Sequence, residues 1–410
     1  MKQGLFSVPL IALATVTMLL SGCNTATQQT AAAPTPVPTP VAPQPPQIDY
    51  AKIRPNELGS IPVIMYHEVK GTKDTDLIRS VKSFQEDLEV LRKNGFYPVN
   101  LGDVVNNEID VPAGKSPVVL TFDDARGTQF RLNETPDALK VAPDCAVGIM
   151  EAFAKQHPTD WALRGTFFVL PKSKATLEPF GQAGLGDQKM AYLVKQGFEQ
   201  ANHSTLHNSF RNYTAADIQR ELGNAHKVIT AAVPEAKLQV VALPMGVFPK
   251  NKELWKYLLK GEFEGTTYEY QAAFLAAWRP MPSPASKEYD PLRLERINSI
   301  NGTNGIRDWV KKLTSGTSVI PMTRYISDGD PNVVSYPKGM EDKANVAMIE
   351  GAGKLANAYE VEGGGTKPIV GAVYGDEPGR NVDTTPPGKG VRQTAVEEPA
   401  LRVSEEPINE

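Results

Sequence analysis

The sequence predicts an α/β fold built on a mainly parallel sheet, and three observations predict it. Short apolar runs alternate with amphipathic stretches from about residue 60 onward. Most of those runs are too uniformly apolar to belong to a sheet with one wet face. The chain has 410 residues, with 41% hydrophobic and 22% charged, which leaves room for one large domain plus extensions.

Taken in order, Ile61-Pro62-Val63-Ile64-Met65-Tyr66 reads as a buried opening strand. A helix follows, with Ser83 and Glu86 as a capping box, Phe84, Leu88 and Leu91 on one face, and Asn94-Gly95 as the stop. Tyr97 to Leu101 forms a short strand, and further strands are expected at Val118 to Phe122, Gly165 to Leu170, Phe198 to Asn202 and Leu238 to Leu243. A helix beginning near Thr214, with Asp217 at its third position, buries Ile218, Leu222, Ala225 and Ile229. In such a sheet, open or closed into a barrel, functional residues gather at the carboxyl ends of the strands.

The chain ends have other compositions. Residues 1–22 read as a signal segment ending in Leu20-Ser21-Gly22, and Cys23 stands where a bacterial lipoprotein is cleaved and acylated. Residues 23–58 hold this cysteine and a Pro/Ala/Thr-rich tether, 59–375 the globular domain with a C-terminal extension, and 376–410 a polar tail with no capacity for a core. The protein is therefore expected to be exported, held to a bacterial membrane through its lipid alone, facing the wall or periplasm, and monomeric. Cys145 is left without a disulfide partner and reads as a small buried hydrophobe. A net charge of −4 without a basic stretch excludes a nucleic-acid footprint.

Two motifs carry chemistry. Thr121-Phe122-Asp123-Asp124 ends a strand in two carboxylates, a pattern that alone is more often a turn or a cap. His203-Ser204-Thr205-Leu206-His207 spaces two of the chain's five histidines four apart, so that on one helical turn both would face one point. Together they offer one carboxylate and two imidazoles to a metal, leaving positions for water and substrate, with the second carboxylate as a base.

On these residues the chain resembles the polysaccharide deacetylases, the NodB-homology or family 4 carbohydrate esterases. The resemblance covers residues 60 to 300 or so, and Ile61 to His67 is similar to the opening strand of the branch acting on poly-N-acetylglucosamine. It implies a distorted (β/α) barrel of about seven strands, a divalent metal, usually zinc, and removal of acetyl groups from N-acetylglucosamine polymers such as poly-N-acetylglucosamine, peptidoglycan or chitin-like chains. It assigns Asp123 as general base and Asp124, His203 and His207 as metal ligands.

The chain departs from that family twice. The motif that usually supplies an arginine and an aromatic residue around a proline reads Ala242-Leu243-Pro244-Met245-Gly246 here. Pro244 and the Met245 N–H can still serve an oxyanion, while the arginine's place beside the base falls to Arg296 as a candidate, against an ordinary surface salt bridge. No histidine follows His226, so the proton for the leaving amine is expected from His67, just after the first strand. His157 and His226 read as surface residues. Trp278 is a candidate wall for the acetyl pocket, whereas Tyr66, Trp309 and Tyr325 could stack on sugars or simply be core. Arg324 to Pro331 reads as a structural turn rather than a calcium loop. The missing arginine and histidine leave the alternative of a lipoprotein that binds wall glycans without catalysis, and the anchor and tether leave a more distant one, the solute receptor of a transporter.

Overall fold

The structure, a computed structural model, describes residues 48–134, 139–171, 178–276, 278–315 and 322–360. The signal segment, Cys23 and the tether as far as residue 47, and the 376–410 tail, lie outside the described residues.

Seven strands make the frame: β1 (Val63–Tyr66), β2 (Ser116–Asp123), β3 (Thr166–Val169), β4 (Glu199–Asn202), β5 (Val240–Ala242), β6 (Ala272–Phe274) and β7 (Ile297–Asn298). They lie side by side in the order β6-β5-β4-β3-β2-β1-β7, every pair parallel. The sheet curls round on itself through the segment before β7. Leu294 bridges Phe274 of β6, with the Leu275 N–H donating to the Leu294 carbonyl at 2.8 Å, and three residues later Ile297 pairs with Ile64 of β1. This seam is thin, and a residue inside it, Arg296, is central to the site.

All eight residues of β2 are buried, as a strand covered on both faces must be. Its period of two divides them. Val118, Leu120 and Phe122 pack outward among α1 (Val81–Lys93), α2 (Ala146–Gln156), α3 (Gly186–Lys195), α4 (Ala215–Ala232) and α5 (Ile306–Ser315). Val119 instead joins Val63, Phe168, Val240, Ala242, Ala272 and Phe274 in a second cluster inside the curl. The same alternation turns Thr121 and Asp123 inward. Leu101, Val104, Val105, Ile109 and Val111 belong to the inner cluster and stop its lower end, which leaves the carboxyl ends of the strands as the mouth.

Several local expectations need correction. Pro62 has no N–H to donate, and the opening strand breaks there: Ser60–Ile61 pairs antiparallel with Met281–Pro282 and only Val63–Tyr66 enters the main sheet. The cap of α1 is Ser80, whose hydroxyl accepts from the Ser83 N–H, so Ser83 and Glu86 do not form a capping box. The strand expected over Tyr97 to Leu101 is Phe96–Pro98, and Leu101 opens a short helix, Leu101–Val105. The box at Thr214 and Asp217 forms as its spacing predicts. Tyr66, Trp309 and Tyr325 are buried and belong to the core, and His226 is packed on Tyr270 with Nδ1 3.3 Å from the phenolic oxygen. Cys145 is buried at the start of α2. Among the described residues no helix is long and apolar enough to cross a membrane.

At the end away from the mouth, Val333–Pro337 and Leu355–Tyr359 pair in parallel over a small core of Leu58, Ala285, Val334, Tyr336, Ala344 and Ile349. Tyr50, at the start of the described chain, sits with its ring 4.6 Å from that of Tyr359 at its finish. Glu57 ties the two together, accepting from the Tyr325 hydroxyl at 3.0 Å and the Ser335 N–H at 2.7 Å. Burial, reinforced by the charge of Asp328, pushes its carboxyl up from 4.5 to about 8. Between those values the folded protein keeps a proton that the unfolded chain gives up. This contribution to stability is complete below the lower value and is lost as pH rises through the upper one. Glu57→Gln is therefore expected to flatten the fall in urea midpoint from pH 5 to pH 8, and unchanged slopes in wild type and variant would refute the assignment.

Candidate functional site

The mouth gathers residues from the ends of four strands, and much of its backbone is held in an uncommon conformation. Asp124 (φ 75°), Ala125 (48°), Ser204 (68°), His207 (58°) and Met245 (57°) are half of the non-glycine residues with positive φ among those described. Such positions cost energy and persist where surrounding contacts enforce them.

β2 delivers the two carboxylates. Asp123, its last residue, points into the curl, and the next residue, Asp124, turns over the mouth. Gln129 supports the turn by donating its amide to the backbone carbonyls of Asp123 and His67. The histidines come from the loop after β4, which is not the helical turn their spacing suggested. Asn202 accepts from the Ser204 N–H at 2.7 Å, Glu221 from the Thr205 and Leu206 N–H groups at 3.2 and 2.9 Å, and Ser204 Oγ from the His207 N–H at 3.2 Å. Side chains take up the amides a helix would have bonded, and the loop folds both rings toward Asp124.

His203 Nε2 and His207 Nε2 each lie 3.3 Å from Asp124 Oδ1, and the three ligand atoms are all within 4.8 Å of one another. Ligands about 2.0–2.2 Å from a tetrahedral ion stand roughly 3.3–3.6 Å apart, so the spacing suits a zinc-sized cation. Asp124 Oδ1 and His203 Nε2 are also buried atoms without a hydrogen-bond partner, which a bound cation would satisfy. The tautomer fits too: His203 Nδ1 is 3.0 Å from the Ala242 carbonyl, which can only accept, so the proton sits on Nδ1 and Nε2 presents its lone pair. These residues fit a divalent metal.

The second carboxylate is occupied differently. Arg296 grips Asp123 with both arms, Nη1 to Oδ1 at 2.6 Å and Nη2 to Oδ2 at 2.8 Å, while its Nε donates to the Leu275 carbonyl at 3.0 Å. The guanidinium is fully buried, with its carbon 5.0 Å from the centre of the Phe168 ring. A side chain on the β7 seam thus braces this carboxylate, with the bidentate geometry that only arginine supplies.

The charges follow from these contacts. Burial raises the Asp123 carboxyl, but Arg296, His203 and His67 together lower it further, and the result is below the ordinary carboxylate range. Burial likewise raises Asp124, but His203 and His207 bring it far down. His67 lies at the same mouth, close enough to feel both carboxylates, and burial lowers its imidazole below the usual value. Pro244 is buried after β5 and Met245 is 55% exposed beside it. Trp278, on the loop after β6, is 54% exposed, and its carbonyl accepts the Trp309 indole N–H at 2.7 Å. Arg126 was not foreseen. Its Nη2 is 2.9 Å from Asp124 Oδ2, the carboxylate oxygen opposite the histidines, and the only sequence signal is a cation two residues after the Asp pair.

Residues 110–261 match the polysaccharide deacetylase family. A chitooligosaccharide deacetylase of Sinorhizobium fredii is 26% identical over 139 residues, 33% of this chain and 49% of the relative, so the chain spans about half the length of that curated protein. Among solved structures, the Streptococcus pyogenes deacetylase PplD in complex with acetate aligns with a TM-score of 0.46 at 18% identity, over 62% of this chain and 97% of that one. IcaB from Ammonifex degensii aligns with a TM-score of 0.39 at 17% identity, over 62% and 97%.

Proposed function

We propose, from the match of residues 110–261 to the polysaccharide deacetylase family and from the geometry of the site, that this chain hydrolyses N-acetyl groups of an N-acetylglucosamine-containing polysaccharide at the bacterial surface. The observation that carries the reading is the convergence of Asp124, His203 and His207 on one point, with Asp123 held beside it and off it by Arg296. A divalent cation there, zinc by the chemistry of two imidazoles and a carboxylate, supplies Lewis acidity toward the acetyl carbonyl and acidifies a water.

The chain's own residues do the rest. Asp123 takes the proton of the attacking water, a task for which Arg296 keeps it ionised and oriented. The Met245 N–H serves the oxygen on which negative charge develops, at the end of the buried Pro244 turn. As the carbon–nitrogen bond breaks, its electron pair stays on nitrogen, which takes a proton from His67. Acetate and a sugar amine leave, and the glycan gains positive charge. Trp278 offers an apolar face to a pyranose ring at the rim. In this reading residues 59–375 form the working domain, and the Cys23 lipid and the tether hold it as a monomer near its polymer.

The test is acetate release from chitotetraose and from peptidoglycan fragments by the purified full-length chain. Release is expected to stop after exhaustive chelation and to return with added zinc. Undiminished release by protein verified to be free of metal would overturn the metal-dependent reading, and glycan binding without any release would favour a non-catalytic wall protein.

A further inference from the structure

Beside the triad lies an open cleft of about 380 Å³ lined by Glu68, Arg126, Thr128, Arg131 and the Phe180–Gln182 turn. It shares two walls with the site. Arg126 is the residue paired with Asp124 Oδ2, and Glu68 directly follows His67. Its loops follow β1, β2 and β3, so a glycan positioned at the triad has this cleft as one way across the mouth.

The cleft is built in advance. Gln182 holds Leu132 through two bonds of 2.8 Å, its amide donating to the carbonyl and its oxygen accepting from the N–H, as a neighbouring strand would. Phe180, at φ 62°, is held by its own N–H to the Ala125 carbonyl at 2.6 Å and by the buried Lys189 Nζ on its carbonyl at 2.8 Å. Gly127 faces that carbonyl, which a Cβ would approach to 3.3 Å.

The charges are unequal. Arg126 and Arg131 line the cleft, the Lys189 ammonium stands behind its wall, and the single lining carboxylate, Glu68, is taken up by Lys70 at 2.5 Å. Arg126 uses Nε and Nη2 on Asp124, and Arg131 uses Nε on Asn133 and Nη2 on the more exposed Asp144, so Nη1 of each has no partner among the described residues. Thr128 Oγ1 is a buried hydroxyl without a partner in the same wall. Two guanidiniums with donors to spare, beside an unsatisfied hydroxyl, match an anionic planar group better than a neutral ring.

We infer that this cleft binds a carboxylate carried by the sugar next to the one being deacetylated, and that Arg131 selects polymers in which N-acetylated and acidic rings are neighbours. The inference rests on the deacetylase reading only in taking the ligand to be a glycan.

Calorimetric binding of a hyaluronan tetrasaccharide, in which N-acetylglucosamine alternates with glucuronate, is compared with that of chitotetraose. Wild type is expected to favour the acidic chain by about tenfold, the scale of one charge-assisted hydrogen-bonded pair. Arg131→Gln is expected to bring that ratio close to one, and Asp144→Asn, which removes Arg131's internal anion, to increase it. Equal affinities in wild type, or a ratio that Arg131→Gln does not change, would overturn the inference. So would a parallel loss in both variants, the mark of a merely structural pair. Acetate release measured alongside separates the two claims: selective binding without release counts against the deacetylase reading alone, and release without selectivity against the cleft alone.

Discussion

Asp123→Asn is expected to lower acetate release by about 10²- to 10⁴-fold, the usual loss on removing a positioned general base, while zinc binding persists. Asparagine keeps the shape and one acceptor for Arg296 but takes no proton from water. The division of labour rests on geometry: Asp123 spends both oxygens on Arg296, whereas Asp124 Oδ1 faces the imidazoles. Because the variant removes the anion from a buried pair, its melting temperature will fall, breaking such pairs costing about 3–5 kcal/mol. Rates are therefore compared well below the transition. A variant that turns over at the wild-type rate, or that loses its zinc, would show the two aspartates to be wrongly assigned.

His203→Ala is the complementary case, with release falling below detection because the metal goes. Of the two histidines it is the deeper, with a side chain 2% exposed against 33% for His207, and its tautomer is fixed by the Ala242 carbonyl. His207→Ala should retain weak zinc binding through the remaining pair, so the variants are expected to rank His203→Ala below His207→Ala in zinc content after dialysis. Equal, stoichiometric zinc in His203→Ala by atomic absorption would place the metal elsewhere.

How much of this could be read from the sequence depended on the range of each interaction. The strands were legible because burial on both faces writes a continuous apolar run, as in Val118 to Phe122, and α4 because Thr214, Asp217 and its apolar stripe agree. The residues of the triad were legible because both motifs are short. The form of the histidine loop was not, since the choice against a helix is made by Asn202 and by Glu221, which lies on α4. Arg296 stood only as a candidate against an ordinary surface salt bridge, because its partner lies 173 residues away and only closure of the sheet brings them together. Arg126 and the cleft left no periodic trace, being set by the backbone path of the loop after β2. Ser80 was passed over as a cap for Ser83, a shift of three residues that composition alone does not resolve.

The contact between Tyr50 and Tyr359 brings the two extremities of the described chain together on the side away from the mouth. A few glycines would suffice to splice them, so a rearranged gene could begin at a loop elsewhere and leave every strand neighbour unchanged. For the same reason a bead or an electrode coupled through either extremity would leave the mouth facing outward, where a polymer too large to diffuse around its support could still reach it.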